Sequence, residues 1–184
     1  SSDVDAGATK TWSVVDATPN STYGAFAVNA STGVWTYTLN NALAATQALK
    51  EDETVSVSYT VRVTDDKGAY ADQVVTVTIN GTNDSPVVTN NAAAAAGLVI
   101  EAGNTDPGAV VPGTPTATGT LTSSDVDAGA TKTWSVVDAT PNSTYGAFAV
   151  NASTGVWTYT LNNALAATQA LKEDETVSVS YTVR

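Results

Sequence analysis

VSVSYTVRVTDDKGAYADQVVTVTINGTND, residues 55–84, decides the fold. Val55, Val57, Tyr59, Val61 and Val63 alternate with Ser56, Ser58, Thr60 and Arg62. Such a period of two places one set on a buried face and the other toward water. Val75, Val77 and Ile79 repeat the alternation beyond a short turn, Asp65-Asp66-Lys67-Gly68. The stretch therefore predicts two long strands in a hairpin, closing on Gly81-Thr82-Asn83-Asp84 before a new segment begins.

The chain then starts again. Residues 123–184 repeat residues 1–62 without a substitution, an offset of 122 within 184 residues. That period is far longer than a solenoid rung, so each unit is expected to own a core. The expected division is 1–84, the C-terminal part of one repeat, and 85–184, the N-terminal part of the next. Together they are expected to make one and a half units, either as a fragment or as part of a longer array.

Working upstream, residues 9–15 read as a strand with Trp12 and Val14 inward, and residues 16–23 as turn chemistry around Pro19-Asn20. Phe26 and Val28 form a short strand. Asn29 to Gly33 is a turn, and Trp35, Tyr37 and Leu39 alternate on a further strand whose large groups are expected in the core. Residues 40–49 are the one helix-leaning segment, good for a turn or two. Downstream, Pro86 makes a stiff join. The alanine run 92–96, flanked by asparagines and Gly97, reads as non-helical; residues 97–101 read as a first strand, followed by a Gly/Pro-rich loop. Seven or more short alternating strands per unit predict an all-β, antiparallel Greek-key sandwich of Ig-like kind, in tandem repeats.

Composition narrows function. Histidine, cysteine and methionine are absent, which removes thiol and imidazole chemistry, disulfides and soft-metal sites. Eighteen acidic against seven basic residues leave a net charge of −11, contrary to what nucleic acid or an anionic membrane surface attracts. No apolar run of spanning length occurs, so direct membrane insertion is not expected. Serines without a base, and identical duplication, argue against an enzyme.

Thirteen of the eighteen acids are aspartates, and they cluster: Asp3 with Asp5, its copy Asp125 with Asp127, Glu51 with Glu53, its copy Glu173 with Glu175, and Asn83 with Asp84. Glu101 stands alone. Ca²⁺ takes six to eight oxygens, so no single Asp-x-Asp loop suffices, but several loops meeting at one end of a sandwich would. Each cluster also has a plainer reading, as Asx turns or a solvated face. Asp65-Asp66 reads best as the hairpin turn itself.

The unit as a whole, from the Asp-x-Asp loop through TYGAFAVNASTGVWTYTLNN to the ending Gly81-Thr82-Asn83-Asp84-x-Pro86, resembles the VCBS-type, cadherin-like repeats of large bacterial RTX adhesins. The resemblance implies an Ig-like sandwich, secretion to the bacterial cell surface, and an extender region between an anchored end and distal ligand-binding modules. Calcium is implied at the domain ends. By that likeness Glu101 corresponds to the early-strand glutamate, Asp125 and Asp127 to the Asp-x-Asp pair, and Asn83-Asp84 to the linker before proline. Glu173 or Glu175 corresponds only loosely to the mid-domain acidic motif. The expected partners are neighbouring copies of the same repeat. A second reading stays open, a β-sandwich that itself binds a glycan or a surface.

Overall fold

The computed structural model describes residues 9–16, 22–105, 108–137 and 144–184. It is built of antiparallel strands with two single-turn α-helices, in two units. The first comprises Ser1–Ser85 with Asp125–Ala130; the second comprises Pro86–Ser124 with Thr131–Arg184. The Asp-x-Asp loop of the later repeat thus clusters with the earlier unit.

In the first unit, β1 (Lys10–Val14) lies beside β4 (Thr54–Asp65), which pairs along eleven residues with β5 (Tyr70–Asn80). Between β1 and β4 the chain makes a second sheet, the hairpin of β2 (Gly24–Val28) and β3 (Trp35–Leu39). One helical turn, α1 (Ala44–Gln47), follows it. The expected period-two face is the buried one. Tyr59 and Val61 of β4 meet Phe26 of β2, with Trp12, Val14, Val28, Tyr37, Val57 and Val75 packed around them. Phe26 and Tyr59 stack with ring centroids 4.4 Å apart and planes 11° from parallel. Such stacks add about 0.5–1.5 kcal/mol beyond the area they bury. The solvent face of the hairpin is ordered too: Arg62 grips Asp72 at 2.7 Å and lies 3.6 Å over the Tyr70 ring.

The turn between β2 and β3 shows why its residues are what they are. Asn29 Oδ1 accepts from the amides of Ser31 and Thr32, and Gly33 closes the turn at φ +71°. A Cβ at Gly33 would stand 2.6 Å from the Trp12 indole. The position needs glycine twice, for its backbone and for the ring above it.

The second unit carries β6 (Val87–Val88), β7 (Gly103–Asn104), β8 (Val110–Val111), β9 (Thr116–Thr120), β10 (Ser123–Ser124), β11 (Gly146–Val150) and β12 (Val156–Leu161), then α2 (Ala166–Gln169). β12 lies between β11 and β9, while β6 pairs with β10 and β7 with β8. Its core is Trp157, Tyr159 and Leu161, with Val99, Ala117, Phe148 and Tyr181 among the residues packed on them. The aromatic stack is reproduced by Phe148 and Tyr181 at 4.6 Å and 10°.

Two expectations at the join are corrected. Residues 97–101 form no strand; Ile100 makes an isolated bridge to Thr114, and the pairing near the join is that of β6 with β10. Gly97 instead lies against the Trp157 ring, where a Cβ would come within 2.8 Å. The alanine run does turn, as a 3₁₀ helix over Ala92–Ala95, because Asn91 Oδ1 accepts from the Ala94 amide. The asparagine that read as a breaker is the N-cap. A third expectation holds in one copy only. Trp157 and Leu161 are buried at 5 % and 8 % exposure, whereas the identical Trp35 and Leu39 are 47 % and 40 % exposed.

Candidate functional site

In the first unit Asp127 is hydrogen-bonded to two other acidic residues, Asp84 and Asp125. The loop Asp125–Ala130 is held by the Ala128 amide donating to the Ala48 carbonyl at 3.1 Å. Within the loop, the Asp127 amide donates to Asp125 Oδ1 at 3.1 Å, an Asx turn, and the Ala130 amide donates to the Asp127 carbonyl. Gly129, at φ +72°, turns the chain back. These contacts bury Asp127 to 7 % exposure. Its Oδ2 accepts the Asp84 amide at 2.9 Å. Its Oδ1 is buried and, among the described residues, has no hydrogen-bond partner.

That atom marks the site. A buried carboxylate oxygen without a donor costs free energy, because the water it gave up is not replaced. Asp84 and Asp125 are half-buried beside it in the chain's bonding network, while Asn83 is exposed and turns its side-chain amide onto the Asp84 carbonyl at 2.8 Å. Every side-chain ligand here is oxygen, the chemistry that hard cations prefer. Among the described residues no three acidic side chains converge closely enough to enclose an ion by themselves, so backbone carbonyls and water would have to share the coordination.

The other acidic positions are placed differently. Glu51 and Glu53 lie on the tight turn after α1, where Asp52 adopts φ +63°. There Glu53 Oε2 accepts the Lys50 amide at 3.2 Å, so one of its oxygens caps its own turn. That turn is locked to the end of β5: the Gly81 amide donates to the Glu53 carbonyl at 2.7 Å, and a Cβ at Gly81 would collide with the Lys50 carbonyl. Glu173 and Glu175, in the second unit, repeat the motif, with Glu175 Oε2 accepting the Lys172 amide at 3.0 Å. Glu101 accepts the Gln169 side-chain amide at 3.0 Å. Asp3 and Asp5 lie outside the described residues. Asp65 and Asp66 form the hairpin turn: Asp65 Oδ1 accepts from the Lys67 and Ala69 amides, and Asp66 pairs with Lys67.

One structural carboxylate escaped the sequence reading. Asp16 accepts the Thr60 amide and ties the end of β1 to β4. A single aspartate before a turn gives no signal of a partner 44 positions away. The strongest charge pairing lies on the hairpin's open face, where the Arg62 hydrogen bonds hold the Asp72 carboxyl below the ordinary carboxylate range and Asp72 in turn raises Arg62. That pair is partly exposed, with 29 % and 37 % of its side-chain surfaces open to solvent, and it serves the hairpin, not the acidic loop.

The geometry thus defines an antiparallel β-domain with an acidic loop held to Ala48 and Asp84. Residues 1–81 match the family model of the bacterial cadherin-like domain, which supports a cadherin-like repeat there. Residues 123–184 carry the same text as residues 1–62 of that match. Domains of this family are structural or adhesion-related β-domains and not enzymes. No curated protein matches the chain. Among the described residues, no helix is long and apolar enough to cross a membrane.

Proposed function

We propose that this chain is part of a calcium-stabilised extender, a run of identical cadherin-like repeats that projects the ligand-binding modules of a large adhesin from a bacterial cell surface. The observation that carries the calcium half of this reading is Asp127, buried at 7 % exposure with Oδ1 partnerless beside Asp84 and Asp125. The residues that would hold the ion are Asp127, Asp125 and Asp84, with Glu53 and Asn83 flanking. A divalent cation supplies the positive charge that the buried oxygen lacks and relieves repulsion among the carboxylates. Because the loop ties the end of β5 to the start of the next repeat's text, an ion bound there would stiffen the chain at that point.

The extender half rests on the cadherin-like match, on exact tandem identity and on net charge. Identical repeats add length without adding a new surface, which suits a spacer. A charge of −11 keeps many such repeats from associating with one another.

The test is thermal unfolding of the chain in calcium and in EDTA, with Asp127→Asn alongside. Calcium at about a hundred times its Kd would stabilise the site by about 2.7 kcal/mol. For a chain of this size that raises Tm by roughly 5–10 °C. Asp127→Asn keeps an acceptor for the Asp84 amide and should melt in EDTA close to the natural chain, yet gain nothing from calcium. Identical melting of the natural chain with and without calcium would sink the calcium reading.

A further inference from the structure

Packing dictates glycine at position 81. The Gly81 amide donates to the Glu53 carbonyl at 2.7 Å, and the main chain of the turn after α1 passes against its Cα. A Cβ there would stand 2.2 Å from the Lys50 carbonyl oxygen and 2.7 Å from the Leu49 carbonyl carbon and oxygen. These neighbours are all backbone, so no rotamer change makes room. The residue before it, Asn80, is the last of β5 and lies opposite Thr54 at the start of β4. Thr54 Oγ1 donates to Asn80 Oδ1 at 3.2 Å. Asn80-Gly81 is the one Asn-Gly pair in the 184 residues.

That pair carries a chemistry of its own. The backbone nitrogen after an asparagine can attack the side-chain carboxamide carbon, and glycine permits this most readily because no Cβ shields its nitrogen. The new bond joins Gly81 N to Asn80 Cγ. The ring nitrogen gives up its proton, the carboxamide nitrogen leaves as ammonia, and a five-membered succinimide remains. Water then opens either ring carbonyl. One opening restores the main chain with aspartate at 80. The other leaves isoaspartate, whose main chain runs through the former side chain and is longer by one methylene.

The fold holds both reacting groups back. The hydrogen on the attacking nitrogen is bonded to the Glu53 carbonyl, and the carboxamide oxygen accepts from Thr54. Asn80 is a strand residue, and an extended backbone turns the next nitrogen away from Cγ. Ring closure therefore requires the end of β5 to leave the turn first. The two products then differ. Aspartate accepts the Thr54 hydroxyl as asparagine does. Isoaspartate displaces Gly81 by one backbone atom, so the chain cannot keep both the β4 register and the Glu53 hydrogen bond. Asp84, whose amide reaches Asp127, lies three residues further on.

We propose that Asn80 is a site of spontaneous covalent modification gated by the Gly81–Glu53 hydrogen bond. While the turn is closed the repeat keeps its asparagine; once it opens, succinimide formation leads to an isoaspartate that prevents the turn from closing again. The gate is made of β4, β5 and the turn after α1 alone, and it works with or without a bound cation.

The experiment incubates the intact chain in mildly alkaline buffer, folded and in unfolding urea. Each asparagine is followed by peptide mass spectrometry with fragmentation that separates aspartate from isoaspartate. In urea Asn80 should convert faster than every other asparagine. In the folded chain its conversion should be slower by roughly tenfold or more, because it waits on local opening. Chain aged in urea and refolded should melt below fresh chain passed briefly through urea. Asn80→Gln, whose longer side chain closes a ring far more slowly, should keep its melting temperature through the same ageing. Equal rates in the folded and unfolded chain overturn the proposal. So does an Asn80 that converts no faster than the other asparagines in urea, an isoaspartate-bearing chain that melts like fresh chain, or an Asn80→Gln chain that loses as much on ageing as the natural one.

Discussion

Trp157→Ala and Trp35→Ala make the same chemical change in the same 62 residues, and they should not cost the same. Trp157 is 5 % exposed and Trp35 is 47 % exposed. For a side chain that offers about 250 Å², the difference amounts to roughly 100 Å² of additional burial at Trp157. At about 25 cal/mol per Å², that is about 2.5 kcal/mol. Trp157→Ala also strands the Ala94 carbonyl, which loses its indole donor, for about 1 kcal/mol more. Trp157→Ala should therefore cost about 3.5 kcal/mol more than Trp35→Ala and fall at the upper end of aromatic-to-alanine losses. Equilibrium unfolding in urea, followed by far-UV circular dichroism, reads this as the midpoint of whichever transition moves. With slopes of about 1–3 kcal/mol per molar, Trp157→Ala should move its midpoint about 1–3 M further than Trp35→Ala does. Equal shifts would refute the reasoning, because they would mean that the two copies bury their tryptophans alike.

Two further outcomes follow from local geometry. Gly33→Ala should destabilise by about 2 kcal/mol or more, since the left-handed backbone costs about 1–2 kcal/mol for an L-residue and the new Cβ meets Trp12 at 2.6 Å. Gly68→Ala, also at positive φ but with nothing within 4 Å, should show only the backbone part; thermal melts of the two variants make the comparison. Asp72 has its carboxyl lowered by the hydrogen bonds from Arg62, so its contribution is present at neutral pH and is lost as pH falls through the folded carboxyl's depressed pKa. Asp72→Asn should therefore melt below the natural chain at pH 7, the gap should close as the pH is lowered into the acid range, and added salt should narrow it at pH 7.

The hairpin of β4 and β5 was legible because its signal is local. Five apolar residues at period two point one way whatever surrounds them, and Tyr59 and Val61 end up buried as that period requires. The one-turn helices and the Asn29 turn were legible for the same reason. The alanine run was not, because a short helix depends on its cap, and Asn91 can cap or break according to which amide it meets. The exposure of Trp35 could not be read from text that is identical to that around Trp157; the strand laid over the ring decides it. The acidic site divides along the same line. The Asp-x-Asp pair and Asn83-Asp84 stand out by composition, and the structure joins Asp127 to Asp84 across 43 positions. The burial of Asp127 depends on the Ala48 carbonyl catching the loop, which no local pattern announces.

The aromatic stack has a consequence for how such a repeat assembles. Phe26 on Tyr59 and Phe148 on Tyr181 keep the same separation to 0.2 Å, although β5 flanks the first pair and β9 flanks the region of the second. Both members of each pair lie within the repeated text, Phe26 and Tyr59 in one copy and Phe148 and Tyr181 in the other, so each unit carries its own complete stack. The Phe–Tyr pair and the hairpin it rests on are thus expected to be the folding nucleus, with the outer strands added to it afterwards in either order. A repeat emerging from a ribosome would then begin to fold from its middle, once its tyrosine strand had appeared and before its final hairpin strand was complete.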